Sequence, residues 1–168
     1  MDERARELER LYREDGPAVW EYLRRRLPDA HAAEEVFQET FLAVAADRRG
    51  LAAALSARAW LIGIARNLVR EHQRSAARHA ATALDQERAG AVPPGEDQRL
   101  EAMRRAIARL PDVQREVLGL RLSQDLTYAE IAEVLAIPVG TVRSRLHQAV
   151  AALRRWATKA GTIDALKT

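Results

Sequence analysis

The sequence contains no cysteine. Disulfides, thiolate metal sites and a cysteine nucleophile are therefore excluded. Aromatic residues are scarce, at 5% of 168 residues, and all but two of the 27 basic residues are arginine. Arginine's planar fork matches carboxylate and phosphate better than the point charge of lysine. No stretch of about 18 uncharged apolar residues exists, so no membrane-spanning helix is expected. The opening segment, MDERARELERLYRED, lacks the apolar core of a signal peptide, which predicts a cytoplasmic chain. A glycine-rich phosphate loop and a His-Glu-x-x-His helix are also missing. His31, His72, His79 and His147 are scattered among ordinary neighbours. Neither a metal site, a cofactor nor an enzyme is expected.

Hydrophobic content of 48% beside 30% charged residues marks a globular chain, long enough for one or two small domains with real cores. The net charge of +3 is modest but unevenly spread. Residues 28–47 hold five acids (Asp29, Glu34, Glu35, Glu39, Asp47) and no lysine or arginine. Residues 58–79 hold five arginines against one acid, Glu71. An acidic face between basic ones points to at least two kinds of partner.

The periodicity predicts helices throughout and no strand. A first helix spans Arg4–Leu27, with Leu8, Leu11, Tyr12, Val19, Trp20, Leu23 and Leu27 apolar, and Gly16-Pro17 predicts an interruption. Asp29 can cap a second helix, Ala32 to about Ala46. Val36, Phe37, Phe41 and Val44 are its apolar positions, while Glu35, Gln38, Glu39 and Leu42 share another face. Ser56 can cap a third helix reaching about Arg78, with Trp60, Leu61, Ile64, Ala65 and Leu68 as the buried stripe. Arg66, Arg70, Arg74 and Arg78 repeat every four residues along it, and a phosphate backbone would relieve their mutual repulsion. Residues 80–98, AATALDQERAGAVPPGEDQ, lose periodicity and read as a flexible linker. Leu100, Met103, Ile107 and Leu110 mark a fourth helix. Pro111 starts a fifth, with Val113, Val117, Leu118, Leu120 and Leu122 apolar.

The stretch from Asp125 to Trp156 reads as a helix-turn-helix. Thr127 and Glu130 form a capping box, followed by Tyr128, Ile131, Ala132 and Leu135 on one face. Ala136-Ile137-Pro138 breaks the first helix. The second restarts near Val139, with Val142, Leu146, Val150 and Leu153 inward and Arg143, Ser144, Arg145, His147 and Gln148 outward. No acid occurs from Pro138 to Lys159. A helix of this kind suits a major groove about 12 Å wide, where Arg and Gln pair with base edges and Ser or further Arg holds phosphate. The residues alone fit a DNA-binding helix-turn-helix or an ordinary helical hairpin with a solvated basic face.

Four blocks in order, AEEVFQETF (33–41), WLIGIARN (60–67), LPDVQREVLGLR (110–121) and LTYAEIAEVLAIPVGTVRSRLHQA (126–149), resemble bacterial extracytoplasmic-function (ECF) sigma factors from about Leu11 to Arg155. The resemblance implies an all-α fold of two small helical domains: region 2 over 1–79, the linker over 80–98, region 4 over 99–160 and a tail over 161–168. It implies that Glu35, Gln38, Glu39 and Leu42 dock on the clamp helices of the largest subunit of core RNA polymerase. Arg66, Asn67, Arg70 and Arg74 would face the −10 element, with a loop at Asp47–Ser56 in the place of the family's flipped-base loop. Thr141, Arg143, Ser144, Arg145, His147 and Gln148 would serve the −35 element. Promoter DNA and a cognate anti-sigma factor are the other partners implied. A sigma-like decoy that binds polymerase without initiating is the alternative within the resemblance. The stretch AVAADRRGLAAAL (43–55) departs from the family's pattern in carrying no aromatic residue.

Overall fold

The computed structural model describes residues 3–47, 50–80 and 98–159, and all regular structure among them is helical. The chain divides into two compact units, one built on its first half, with which Glu133–Ala136 are grouped, and one on the rest of its second half. The segment read as a linker lies, from 81 to 97, outside the described residues, as does the tail from 160.

In the first unit, α1 (Glu3–Arg24), α2 (Ala30–Ala46) and α4 (Ala57–Ala80) pack against one another, and the four-residue α3 (Gly50–Ala53) lies on α4. The stretch read as a loop at Asp47–Ser56 thus contains a single helical turn. Val19 and Leu23 of α1 meet a core formed with Ala33 and Val36 of α2 and Leu61, Ile62 and Ala65 of α4, all fully or almost fully buried. Burial of each such aliphatic side chain contributes roughly 1.5–3 kcal/mol before conformational entropy is charged against it. Asp15 and Arg58 add an ion pair at 3.0 Å between α1 and α4, with the aspartate only 13% exposed.

Capping starts both later helices as the side chains predict. Asp29 Oδ1 accepts from Ala32 N at 2.8 Å, and Ser56 Oγ accepts from Ala59 N at 3.2 Å. Asp29→Ala is expected to cost about 1 kcal/mol, the usual value of a lost cap. Thermal unfolding would register it as a lower midpoint, with Asp29→Ser recovering most of the loss.

Three expectations for this unit need correction. First, α1 runs unbroken through Gly16-Pro17. Pro17 removes one donor, but Gly16 has no Cβ to clash with the proline ring. Gly16 is also buried, and a Cβ there would meet the Phe37 and Phe41 rings at 3.7 and 3.9 Å, so tertiary packing holds the helix together. Second, the buried stripe of α4 runs through Ala59, Leu61, Ile62, Ala65 and Val69, while Trp60, Ile64 and Leu68 are only half-buried. Third, Tyr12 and Trp20 of α1 are exposed rather than core. In each pair of adjacent apolar positions the sequence offered two faces, and packing selected one.

The second unit holds α5 (Gln98–Ala108), α6 (Asp112–Ser123), α7 (Tyr128–Leu135) and α8 (Val139–Lys159), with α5 and α6 packed on α8. Leu110, Val117, Leu120, Leu126, Ile131, Val142 and Ala149 are its buried centre. Val113 and Leu122 of α6 are exposed, and in α8 Ala149, not Val150, continues the inward row from Val142 and Leu146. The 3.6-residue period favours position 149 over 150 on that row.

The turns of this unit show how a short α7 is held. Thr127 N donates to Glu130 Oε2 at 2.7 Å and Glu130 N to Thr127 Oγ1 at 3.3 Å, completing the reciprocal cap. At the other end Ala136 N donates to Glu133 O (3.1 Å) and Ile137 N to Ala132 O (3.0 Å). These are the two bonds of a Schellman ending, with Ala136 at φ 52° in the left-handed position. The helix is therefore closed before Pro138 is reached. Pro138 instead opens α8, its carbonyl accepting from Thr141 N and Val142 N. Arg121 spans the turn between α6 and α7, donating to Leu126 O at 3.1 Å and pairing with Asp125 at 3.6 Å.

Candidate functional site

On α2, Glu35, Gln38, Glu39 and Leu42 are all exposed and fall on one face. Leu42 is 69% exposed, far more than an apolar residue in a small unit needs to be. Beside it a groove of about 1110 Å³ runs between α1 and α2, lined by Leu8, Tyr12, Trp20, Phe37, Phe41 and Leu42 among others. Tyr12 meets Phe41 edge-on at 5.0 Å between ring centroids, and Trp20 meets Phe37 at 5.7 Å. Half of the chain's few aromatic residues are gathered at this one groove. Sequence reasoning found the α2 side of the surface and missed Tyr12 and Trp20. Trp20 follows Val19 by one residue, about 100° round the helix and so off the core row, whereas Tyr12 shares the row of Val19 and Leu23 at helical spacing and gave no such signal.

On α4, Asn67, Arg70 and Arg74 are exposed and Arg66 is half-buried. Helical geometry brings these four positions within about 100° of arc. Arg74 Nε donates to Arg70 O at 3.3 Å, laying its side chain back along the helix. Arg58, on the same helix, is turned away to Asp15 and is not part of this face. The loop region from Asp47 to Ser56 is described at 47 and from 50 onward. There Asp47 Oδ1 accepts from Gly50 N at 3.0 Å, and a Cβ on Gly50 would lie 2.5 Å from the Trp60 Nε1 and closer still to Asp47. Only glycine fits this close approach of α3 to the start of α4.

On α8, Arg143, Ser144, His147 and Gln148 are exposed on one face, opposite Val142, Leu146 and Ala149. Arg154 and Arg155 continue that face and were not singled out from the sequence. Thr141 and Arg145 sit half-buried at its margin. The first turn of α8 carries no acid, so its positive dipole end is uncompensated. Gln148 Oε1 accepts from Gln114 Nε2 of α6 at 3.2 Å. Among the described residues no group of three or more His, Cys, Asp and Glu is placed to hold a metal ion, and no helix is long and apolar enough to cross a membrane.

The sequence matches the family model for sigma-70 region 2 over residues 11–79 and that for sigma-70 region 4 over 100–153. It is 36% identical over 150 residues to the ECF RNA polymerase sigma factor SigL of Mycobacterium tuberculosis, covering 86% of this chain and 85% of SigL. The chain belongs to the ECF RNA polymerase sigma factors. SigW of Bacillus subtilis is another relative, 30% identical over 152 residues, covering 82% of this chain and 81% of its own length. The fold of this sigma factor is also similar to that of RpoE from Bartonella quintana, solved in complex with the anti-sigma factor NepR. The TM-score is 0.67 and the identity 23%, over 92% of this chain and 96% of RpoE. CnrH, solved with the cytosolic domain of CnrY, gives a TM-score of 0.61 at 23% identity, over 92% of this chain and 90% of that one.

As an alternative sigma factor, the chain directs transcription initiation by binding core RNA polymerase and promoter DNA. The groove, the α2 face and the arginines of α4 fall within the region 2 match, and the outer face of α8 within that of region 4. Each set of candidate residues is brought together on its own helix.

Proposed function

We propose that this sigma factor docks on the clamp helices of the largest polymerase subunit through Glu35, Gln38, Glu39 and Leu42 together with the aromatic groove between α1 and α2. Arg66, Asn67, Arg70 and Arg74 then face the −10 element, and Thr141, Arg143, Ser144, Arg145, His147 and Gln148 serve the −35 element. The observation that carries this reading is a separation of surface chemistry. An exposed leucine and an aromatic groove stand beside acids on α2, whereas α8 presents an acid-free basic face. Acids repel phosphate, so the first surface suits protein; the second suits the DNA backbone and base edges.

The proposed division is region 2 over 1–79, a linker over 80–98, region 4 over 99–160 and a tail beyond. Two weak DNA readers tethered to one polymerase gain effective concentration, so neither needs high affinity alone. The protein acts by positioning polymerase and catalyses no reaction itself, and its place of work is the cytoplasm. RpoE and CnrH were each solved with a protein bound, NepR being an anti-sigma factor. A cognate anti-sigma factor is accordingly proposed for this chain too.

Paired substitutions test the assignment. Glu35→Lys with Gln38→Ala should remove polymerase binding, while Arg143→Ala should spare it and remove promoter selection. A chain that keeps polymerase binding with the first pair uses another surface. A decoy would bind polymerase yet never depend on Arg143, and a stand-alone regulator would bind duplex DNA tightly without polymerase.

A further inference from the structure

Gln148 is exposed on the outer face of α8, one turn beyond Ser144, and it is not free to rotate as an isolated side chain would be. Gln114, in the first turn of α6, reaches across the packed α6–α8 pair and donates from Nε2 to Gln148 Oε1 at 3.2 Å. A glutamine amide has an accepting oxygen and an NH2 with two hydrogens, and adenine is read by using both ends at once. Here one lone pair of the oxygen is used and the oxygen is held toward Gln114, which leaves the NH2 as the end to donate to a ligand.

We propose that Gln114 is a positioning residue that orients the Gln148 amide and makes it a donor toward base edges, selecting an acceptor-bearing base at one position of the −35 element. The inference rests on the reading of α8 as the −35 face. In the major groove guanine offers O6 and N7 and thymine O4 as acceptors, adenine offers N7 beside its N6 donor, and cytosine offers only its N4 donors. A donor held outward favours guanine or thymine and meets cytosine donor to donor. Leaving a mismatched donor unpaired costs on the order of 1 kcal/mol, about fivefold in preference.

Replacing the partner changes which end of Gln148 is held. Glutamate at position 114 can only accept, so in Gln114→Glu the Gln148 amide turns its NH2 inward and its oxygen outward. The preference should then pass from guanine or thymine to the donor-bearing bases, cytosine or adenine. Gln114→Ala releases the amide and should flatten the preference or admit adenine. The added negative charge of glutamate weakens binding to all sequences alike and cancels in the ratio between promoters.

The test uses holoenzyme assembled from core polymerase and the full chain, on a promoter library randomised through the −35 element. Gln148→Ala first identifies the base pair, where the wild-type preference should collapse. At that base pair Gln114→Glu should reverse the preference by about fivefold or more in each direction, with other positions unchanged. If Gln148→Ala flattens one position but Gln114→Glu keeps the wild-type preference there, the positioning role is wrong while the reading of α8 stands. If Gln148→Ala alters no position, Gln148 reads no base and the inference falls with that part of the −35 assignment. A Gln114 of purely structural importance would lower affinity on every sequence equally, which also contradicts the proposal.

Discussion

Replacing Leu42 by aspartate is expected to weaken binding to core polymerase by roughly thirtyfold, about 2 kcal/mol, the level of an interface hot spot. Folding should be almost untouched, because the side chain is 69% exposed and takes little part in the core. Buried against a partner, the same side chain would contribute through lost apolar area at about 25 cal/mol per Å². The carboxylate that replaces it would have to be desolvated instead. Titrating labelled chain with core polymerase measures the affinity, and circular dichroism across a thermal melt checks the fold. Unchanged affinity in a folded Leu42→Asp variant would remove α2 from the docking surface.

Arg143→Ala is expected to reduce transcription from a promoter with an intact −35 element by about 5- to 150-fold, corresponding to roughly 1–3 kcal/mol for a lost base contact. Polymerase binding should remain as in the wild type, since Arg143 lies on the exposed face of α8 in the region 4 match. Arg154, about three turns of helix further along that face, makes a useful contrast. If it holds phosphate, Arg154→Ala weakens all sequences equally and lowers the salt slope by about 1. Competition between promoters that differ only in the −35 element separates these effects. Loss of affinity without loss of discrimination in Arg143→Ala would make that residue a phosphate clamp.

Element types and most boundaries were legible because local chemistry and tertiary packing agree in this chain. Asp29, Ser56 and the Thr127–Glu130 pair are capping side chains whose bonds the structure contains. The acid-free run of α8 and the α2 face were likewise visible, since each follows from residue type at helical spacing. What escaped was the choice between neighbouring apolar positions. Trp60 against Ile62, and Val150 against Ala149, differ by fractions of a helical turn, and only the packed partner decides which goes inward. Gly16-Pro17 escaped for a related reason: the local rule predicts a break, but contact with Phe37 and Phe41 favours continuity. The groove between α1 and α2 needed both helices in place, because its walls come from residues some 20 positions apart in sequence. Gln114 carried no signal of its own; its interest arises from the hydrogen bond to Gln148.

The most direct test of the account is transcription by purified core polymerase, with and without this chain, on a fragment library from a GC-rich genome. The account predicts new transcripts that share a pair of upstream elements, lost with Leu42→Asp and redirected by substitutions on the outer face of α8. Failure of the chain to bind core polymerase at all would contradict it.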